Sequence, residues 1–349
     1  MQRALYRFFR NYETRVHELS YLFWECTTRC NLHCRHCGSD CTVNSREKDM
    51  PLEDFLRAVD TIPATHRPKG FSVVLTGGEP LLRPDIEEVG RSLMRRKMPW
   101  GMVSNGYFYD AALQDRLLAA GMSALTISLD GMEESHNWMR GNPASFERAV
   151  SAIRTAARSK WLNFDVVTCV NKRTINELEQ IFCLLQSFGV KQWRLFTIIP
   201  IGRAAKDPEM HLDDTEVRRM MDFIVEKRRS GGPMKVAFSC EGFLGKYDGA
   251  VRDNGFFCRA GVNIASILID GRISACPNVD RDAFSQGSIY SDDFYKVWQE
   301  GFKPFRDRSW ARRGICADCP VFRDCEGGGM HNWKAGLAGP LACNYQACK

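Results

Sequence analysis

The chain has 349 residues, of which 44% are hydrophobic and 26% charged, with a formal net charge of +6. This composition suits a globular protein with one large or two medium cores. It contains no run of 18 or more apolar residues, so we expect no membrane span, and its mild, dispersed basic excess argues against a nucleic-acid binder. The first twenty residues do not form a secretory signal, so we expect a cytoplasmic protein whose fifteen cysteines stay reduced.

In chain order, a short N-terminal helical extension is predicted over residues 1–19. Short apolar segments then predict six strands, at 21–27, 71–77, 100–105, 124–130, 164–171 and 193–200. The amphipathic segments between them predict five helices, at 51–62, 84–97, 110–120, 144–159 and 174–188. Six βα units are fewer than the eight of a closed barrel, so we expect an α/β fold with an open or partial parallel barrel over 20–205.

The pattern changes after residue 205. A bridging helix is predicted at about 212–230, opened by an Asp-Asp cap and closed by Ser-Gly-Gly, within a linking region at 206–235. The remaining segment, 236–349, is rich in Cys and Gly and contains a predicted β-hairpin at 263–278. It has few apolar residues in a regular pattern, so we expect a small second domain that needs metal to fold.

Five cysteines lie within residues 26–41, which is compatible with a disulfide knot, a zinc site, a redox pair or an iron–sulfur site. Three of them, Cys30, Cys34 and Cys37, have the spacing C-x3-C-x2-C. Zinc prefers four protein ligands, whereas three thiolates hold three corners of a [4Fe–4S] cube and leave one iron open. Cys26 is expected to be a buried strand residue, and Cys41 either a structural residue or a spare thiol near the cluster.

Together with this triad, "GGEP" after the second strand and "SLDG" after the fourth resemble the radical S-adenosylmethionine (radical SAM) enzymes over residues 20–205. The resemblance implies a partial (β/α)6 barrel and a [4Fe–4S] cluster whose open iron binds SAM. It also implies reductive cleavage of SAM to a 5′-deoxyadenosyl radical that abstracts a hydrogen from a substrate.

The resemblance assigns cofactor-binding roles to residues near the first two strands. Gly77 and Gly78 let the backbone approach a ligand closely. Glu79 with Pro80 resembles the element that accepts hydrogen bonds from the SAM amine. His36 occupies the position whose ring packs near adenine.

Residues at the third and fourth strands complete the expected SAM site. Ser128 and Asp130 are expected to bind the ribose hydroxyls, and Ser104 and Asn105 lie one strand away. Arg140 resembles the arginine that pairs with the SAM carboxylate.

The C-terminal part has Gly271 five positions before Cys276, and "CADCPVFRDC" at 316–325 is followed by Cys343. This pattern resembles a SPASM domain, which typically binds two auxiliary [4Fe–4S] clusters. The chain departs from the pattern at Gly329, where the family has a cysteine. We expect one complete auxiliary ligand set, and a second, less complete set with Cys258 and Cys276 as ligands; the complete set comprises Cys316, Cys319, Cys325 and Cys343.

Several arrangements stay open for the second set. The cluster is absent, recruits Cys240 or Cys348, or keeps an open iron for substrate. Another arrangement is a single twitch-type cluster on Cys258, Cys276 and the first two cysteines of the complete set. A zinc site on those first two cysteines is the remaining alternative.

The resemblance to SPASM proteins implies a peptide or protein substrate and an electron donor such as flavodoxin or ferredoxin. The alternatives are a small-molecule substrate, a non-catalytic iron–sulfur electron carrier or a zinc-stapled binding module. Sulfatase maturation is disfavoured because Pro277 stands where that group has Asp, and the nearest acid is Asp280. The opening cysteine stretch also resembles a subgroup associated with lipoprotein-containing gene systems.

Overall fold

The computed structural model describes residues 2–45, 47–239 and 241–349. Parallel strands form its centre and include the six predicted strands; these strands are β1 (Tyr21–Thr27), β2 (Ser72–Gly77), β3 (Trp100–Ser104), β4 (Met122–Ser128), β5 (Asn163–Cys169), β6 (Gln192–Phe196) and β7 (Lys235–Phe238). The sequence analysis did not predict β7, because its four residues follow a Gly-Gly-Pro turn and are too few to show a period.

Eight helices of at least eight residues accompany these strands within the described residues: α1 (Gln2–Val16), α2 (Leu52–Asp60), α3 (Ile86–Arg95), α4 (Ala111–Ala119), α5 (Glu133–Arg140), α6 (Ser145–Ala157), α7 (Leu178–Ser187) and α8 (Asp214–Arg229). Helix α8 is the predicted bridging helix, and Asp213 caps it in a capping box with Glu216. Helix α5 was not predicted, because its mostly polar sequence shows no clear apolar stripe. No helix in the described ranges is long and apolar enough to cross a bilayer.

The predicted hairpin extends the same sheet. It consists of β8 (Ile264–Ile267) and β9 (Arg272–Ser274), followed by the short β10 (Gly287–Ser288). Strand β8 pairs in parallel with β1, so the described strands run in the order β10-β9-β8-β1-β2-β3-β4-β5-β6-β7. The α/β class, the parallel sheet of a partial barrel and the C-terminal hairpin are therefore confirmed.

The C-terminal segment has little regular structure beyond this hairpin. Its helices are short: α9 (Asp248–Val251), α10 (Arg281–Phe284), α11 (Phe294–Glu300), α12 (Lys303–Arg306), α13 (Phe322–Cys325) and α14 (Asn344–Ala347). Buried aromatic side chains, including Trp298 and Phe305, join the segment to the core of the parallel sheet.

Helix α1 packs on this segment through its charged face. Arg7 pairs with Asp324 at 3.1 Å, and Arg10 pairs with Glu326 at 2.8 Å. Its apolar face, which includes Phe8, points outward and is exposed. These ion pairs, together with the hydrogen bond from the Tyr6 hydroxyl to the Gly255 carbonyl, hold α1 against the segment.

Candidate functional site

The cysteine triad, Cys30, Cys34 and Cys37, lies in the loop that follows β1. Cys30 and Cys34 are 8% exposed. Burial raises the pKa of the Cys30 thiol to about 11 and also raises that of Cys34. The pKa of Cys37 is instead lowered to about 6, because the thiol and backbone N–H of Cys41 hydrogen-bond to its sulfur. The loop thus gathers three thiols and makes Cys37 the most acidic of them.

The two glycines after β2 bring that strand against the triad loop. The Gly78 N–H donates to the Thr27 carbonyl at 2.7 Å, and the Glu79 N–H donates to the Arg29 carbonyl at 2.8 Å. A Cβ atom on Gly77 would lie 2.1 Å from the Thr27 oxygen, and one on Gly78 would lie 2.1 Å from the Arg29 oxygen. The glycines thus permit close contact between two loops, and their predicted close approach to a ligand stays a prediction.

Arg203, which follows β6, clamps the triad loop from the other side. Its Nε donates to the Cys34 carbonyl at 2.7 Å, and its Nη1 donates to the Cys41 carbonyl at 3.2 Å and to Asp40 at 2.6 Å. Its backbone N–H donates to the Cys37 carbonyl at 3.0 Å. One residue therefore fixes backbone atoms of two triad cysteines.

Glu79 is a buried acceptor at the carboxyl ends of β2 and β3. Its carboxylate accepts from the Ser104 hydroxyl at 2.9 Å, from the Asn105 N–H at 2.8 Å and from the Leu81 N–H at 3.1 Å. Burial raises its pKa. A carboxylate has about four acceptor positions, so three protein donors leave room for one more. Pro80 begins the short 3₁₀ turn that orients the Leu81 N–H.

A second set of buried polar side chains, centred on Asp130, connects the ends of β4 and β5 with α5. Asp130 forms an ion pair with Arg140 and accepts from the Cys169 N–H at 2.8 Å. The Asp130 N–H donates to His136 Nδ1 at 3.0 Å, so Nε2 carries the ring proton and donates to Ser145 at 3.0 Å. Burial lowers the pKa of His136 to about 3. The ring is therefore neutral near pH 7.

The structure places the predicted cofactor residues around the triad loop. Arg140 Nη1 lies 3.7 Å from Cys34 Sγ, and the Asn105 side chain donates to Asn31 at 2.9 Å. Ser128, half-buried, ends β4 two residues before Asp130. Burial lowers the pKa of His36 to about 4, so its ring is neutral.

Several buried polar atoms around the triad have no hydrogen-bond partner among the described residues: Asn31 Nδ2, His36 Nδ1, Arg140 Nε and Arg203 Nη2. Such atoms are costly unless a ligand satisfies them. Together with three thiols on one loop, they fit an iron–sulfur cluster and a polar cofactor bound beside it.

The complete auxiliary set is also brought together. Cys316, Cys319, Cys325 and Cys343 all line one cavity of about 370 Å³. Burial and the neighbouring thiols raise the pKa of Cys316 to about 11 and that of Cys325 to about 12. Within the described ranges, no three His, Cys, Asp or Glu side chains are arranged to hold a single metal ion. The four thiols share one cavity, and their role as cluster ligands stays a prediction.

The other cysteines have different surroundings. The sulfur of Cys258 accepts from the Met330 N–H at 3.4 Å, and Cys276 follows β9. Cys348 is buried at the end of α14, which packs on α8. Cys240, which the sequence analysis considered as a ligand, lies outside the described residues.

A larger cavity of about 860 Å³ opens between the triad loop and the C-terminal segment. One wall comes from the residues that follow Cys37, including Ser39, Asn44 and Ser45. The opposite wall comes from residues 277–281, His331 and Lys334. Asp280 lies on this wall, but its carboxylate caps α10 by accepting two backbone N–H groups.

The sequence analysis missed Arg203 and His136 as site residues. Arg203 had a weak signal, since it belongs to a polar "PIGRA" segment at the carboxyl end of a predicted strand. His136 lies four residues before Arg140, so the two share one helix face. That spacing becomes informative only once α5 is known to be a helix.

The family comparisons divide the chain into two parts. Residues 24–185 match the profile described as the Radical SAM superfamily. Residues 258–320 match the profile named SPASM and described as an iron-sulfur cluster-binding domain.

Two groups of curated relatives align with most of the chain. The "AdoMet-dependent heme synthase" of Methanosarcina barkeri is 26% identical over 321 residues, which cover 87% of this chain and 89% of the relative. The "Mycofactocin maturase MftC" of Mycolicibacterium smegmatis is 29% identical over 315 residues, which cover 88% of this chain and 77% of the relative.

Solved structures agree on the fold. The Streptococcus suis SuiB structure bound to S-adenosylmethionine has a TM-score of 0.72 at 15% identity, and the match covers 97% of this chain and 80% of that one. The anSMEcpe structure with bound AdoMet also has a TM-score of 0.72, at 20% identity and with 94% of both chains covered.

Proposed function

We propose that this chain, which belongs to the radical SAM superfamily and carries a C-terminal SPASM domain, modifies a peptide or protein bound in the 860 Å³ cavity. The observation that carries the proposal is the position of this cavity. Its walls come from the triad loop on one side and the SPASM segment on the other. A substrate there would lie beside the radical-generating centre and next to the auxiliary cluster domain.

Each buried group around the triad has a proposed role. A [4Fe–4S] cluster held by the triad, together with SAM, supplies the chemistry that abstracts a hydrogen atom. Glu79 offers its remaining acceptor position to the SAM amine, and the unpartnered Nε of Arg140 donates to the SAM carboxylate. The neutral ring of His36 would pack near the adenine of SAM. Asp130 holds Arg140 in place through the buried ion pair.

Ser128 and Asn105 are proposed to complete the cofactor site. Ser128 offers a half-buried hydroxyl to the ribose, next to the ion-paired Asp130. Asn105 is fixed by its bond to Asn31, so its backbone stays aligned with Glu79. Reduction of the cluster requires an external electron donor, and we still predict a flavodoxin or a ferredoxin in that role.

The charge of the cavity favours a peptide over a polycarboxylate. Among the described wall residues, three acids (Asp40, Glu47 and Asp280) face two cations (Arg281 and Lys334). Arg281 is paired with the buried Glu25 at 3.1 Å and Asp40 with Arg203 at 2.6 Å, so Glu47 and Asp280 against Lys334 leave a balance of one negative charge. A porphyrin with several carboxylates would meet a wall that is net negative, whereas the amide and hydroxyl groups of Asn44, Ser45 and Asn278 suit a peptide backbone.

A small-molecule substrate is the second candidate, because heme synthases are among the relatives that align along most of the chain. The two candidates are separated by incubating reconstituted protein with SAM, dithionite and either a mixed synthetic peptide library or an iron porphyrin. We expect the peptides to increase 5′-deoxyadenosine formation and to show mass changes. Stimulation by the porphyrin alone would refute the peptide proposal.

No 5′-deoxyadenosine under any condition would instead favour the electron-carrier alternative. The colour and the iron and sulfide content of the anaerobically purified protein would distinguish the enzyme and electron-carrier hypotheses from a zinc-stapled module. Clusters give a brown protein, whereas zinc gives a colourless one.

A further inference from the structure

The second auxiliary ligand set is short of a thiol at Gly329. Cys258 and Cys276 are present, but a cysteine at position 329 is missing from the third place in the pattern. The surroundings of Gly329 show what occupies the space that this thiol would use.

The imidazole of His331 fills that space. A Cβ atom built on Gly329 would lie 2.5 Å from His331 Cε1 and 2.8 Å from its Nε2. Real side chains do not approach so closely, so residue 329 must be Gly while the ring stays in this position. The loss of the thiol and the position of the ring are therefore linked.

One nitrogen of that ring lacks a partner. His331 Nε2 is buried and has no hydrogen-bond partner among the described residues. An unsatisfied buried polar atom destabilises the fold unless a ligand satisfies it. Imidazole nitrogen is a common metal ligand and replaces thiolate in some iron–sulfur centres, so a bound iron would satisfy it.

The chain on either side places His331 near both remaining thiols. The N–H of Met330, the preceding residue, donates to Cys258 Sγ at 3.4 Å. His331 also lines the large cavity together with Pro277 and Asn278, the two residues that follow Cys276. The backbone next to His331 therefore contacts Cys258, and its side chain shares a cavity wall with the residues that follow Cys276.

We propose that His331 ligates an auxiliary [4Fe–4S] cluster together with Cys258 and Cys276, its imidazole replacing the thiolate absent at Gly329. Because imidazole is neutral and thiolate is anionic, this cluster is easier to reduce than an all-cysteine one. The inference rests on cluster binding by the SPASM domain and is independent of the substrate. It therefore survives failure of the peptide proposal.

The test uses full-length protein in which the three triad cysteines are Ala, so that only auxiliary clusters remain. After anaerobic reconstitution we expect about eight irons per chain, four for each cluster. Pulsed EPR of the dithionite-reduced protein should show a strongly coupled nitrogen, whose splitting changes when histidine is labelled with ¹⁵N. A content of about four irons, or no such coupling, would overturn the proposal.

Substitutions of single histidines identify the residue that supplies the coupled nitrogen. His331→Ala should remove the coupling, whereas His33→Ala, at an exposed position on the triad loop, should retain it. His331→Cys should lose the coupling, keep about eight irons and lower the reduction potential of one cluster. If His331→Ala does not fold, the His331→Cys variant provides the EPR comparison instead. Coupling that persists in His331→Cys contradicts the assignment.

Discussion

The Arg203 clamp predicts how strongly one remote side chain orders the triad loop. In Arg203→Met the chain length and the apolar stem are preserved, while the bonds to the Cys34 and Cys41 carbonyls are lost. The bond to Asp40 is lost as well, but that carboxylate is 71% exposed, so its pair contributes about 0–1 kcal/mol. The two carbonyl bonds therefore dominate the effect.

The magnitude follows from those two bonds. A hydrogen bond from a charged donor contributes about 1.5–3 kcal/mol, so two of them contribute at least about 3 kcal/mol. At about 1.4 kcal/mol for each factor of ten, loop opening becomes about 100-fold more frequent. The change is local, because the core of the sheet does not depend on these bonds.

Hydrogen exchange of the metal-free protein measures this opening. The Cys30 N–H, bonded to the Thr42 carbonyl at 2.9 Å, should exchange about 100-fold faster in Arg203→Met, and reconstituted protein should lose iron to a chelator faster. Arg35→Met is the matched control, since Arg35 lies on the same loop but is 42% exposed in its pair with Asp207. Equal exchange rates of the Cys30 N–H in the two variants would refute the idea that Arg203 orders the triad loop.

Three further predictions concern the other parts of the site. Replacing the triad with Ala should remove about four irons and abolish the SAM-induced spectral change, while circular dichroism stays unchanged; retained SAM cleavage would contradict the assignment. Cys319→Ala should remove about four irons and make the tail beyond residue 313 sensitive to limited proteolysis, whereas an intact tail with normal turnover would mean that the auxiliary site is dispensable. His136 has a pKa of about 3 in the fold against 6.5 in the unfolded chain, so the unfolded state binds the proton first as pH falls from 6.5. The neutral His136 ring alone should therefore cost the fold about 2 kcal/mol between pH 7 and pH 5, in addition to the loss from the neutral His36 ring, and His136→Gln, whose amide oxygen still accepts from Asp130, should reduce the total loss by about 2 kcal/mol in denaturant titrations; an unchanged pH dependence would refute a neutral buried ring.

Motif spacing and strand order were sufficient to predict the partial barrel, and they place the candidate site at one edge of its sheet. The triad, Glu79 and Asp130 each follow an apolar strand, and the carboxyl ends of parallel strands meet at one edge of a sheet. The four-cysteine auxiliary set was predicted from its spacing, and the structure gathers it around one cavity.

The contacts that bind these parts together were not predictable. Arg203 reaches Cys34 across 169 residues of sequence, and no local pattern encodes such a contact. The close contact of the "GGEP" glycines with the carbonyls of Thr27 and Arg29 likewise has no local signal in the sequence. Strand β7 was missed because four residues between a turn and a loop carry too little periodic signal.

Strand β1 fixes the distance between the two halves of the site. Its carboxyl end leads into the triad loop, and along its edge it pairs with β8 of the SPASM segment. Its buried Glu25 accepts from the Ile269 N–H at 3.0 Å and pairs with Arg281. Moving the hairpin away from the triad would break this pairing and expose a buried carboxylate without its partners. This pairing therefore holds the hairpin wall of the cavity in place beside the triad loop, and under the proposed function the side chains on the walls would select among substrates.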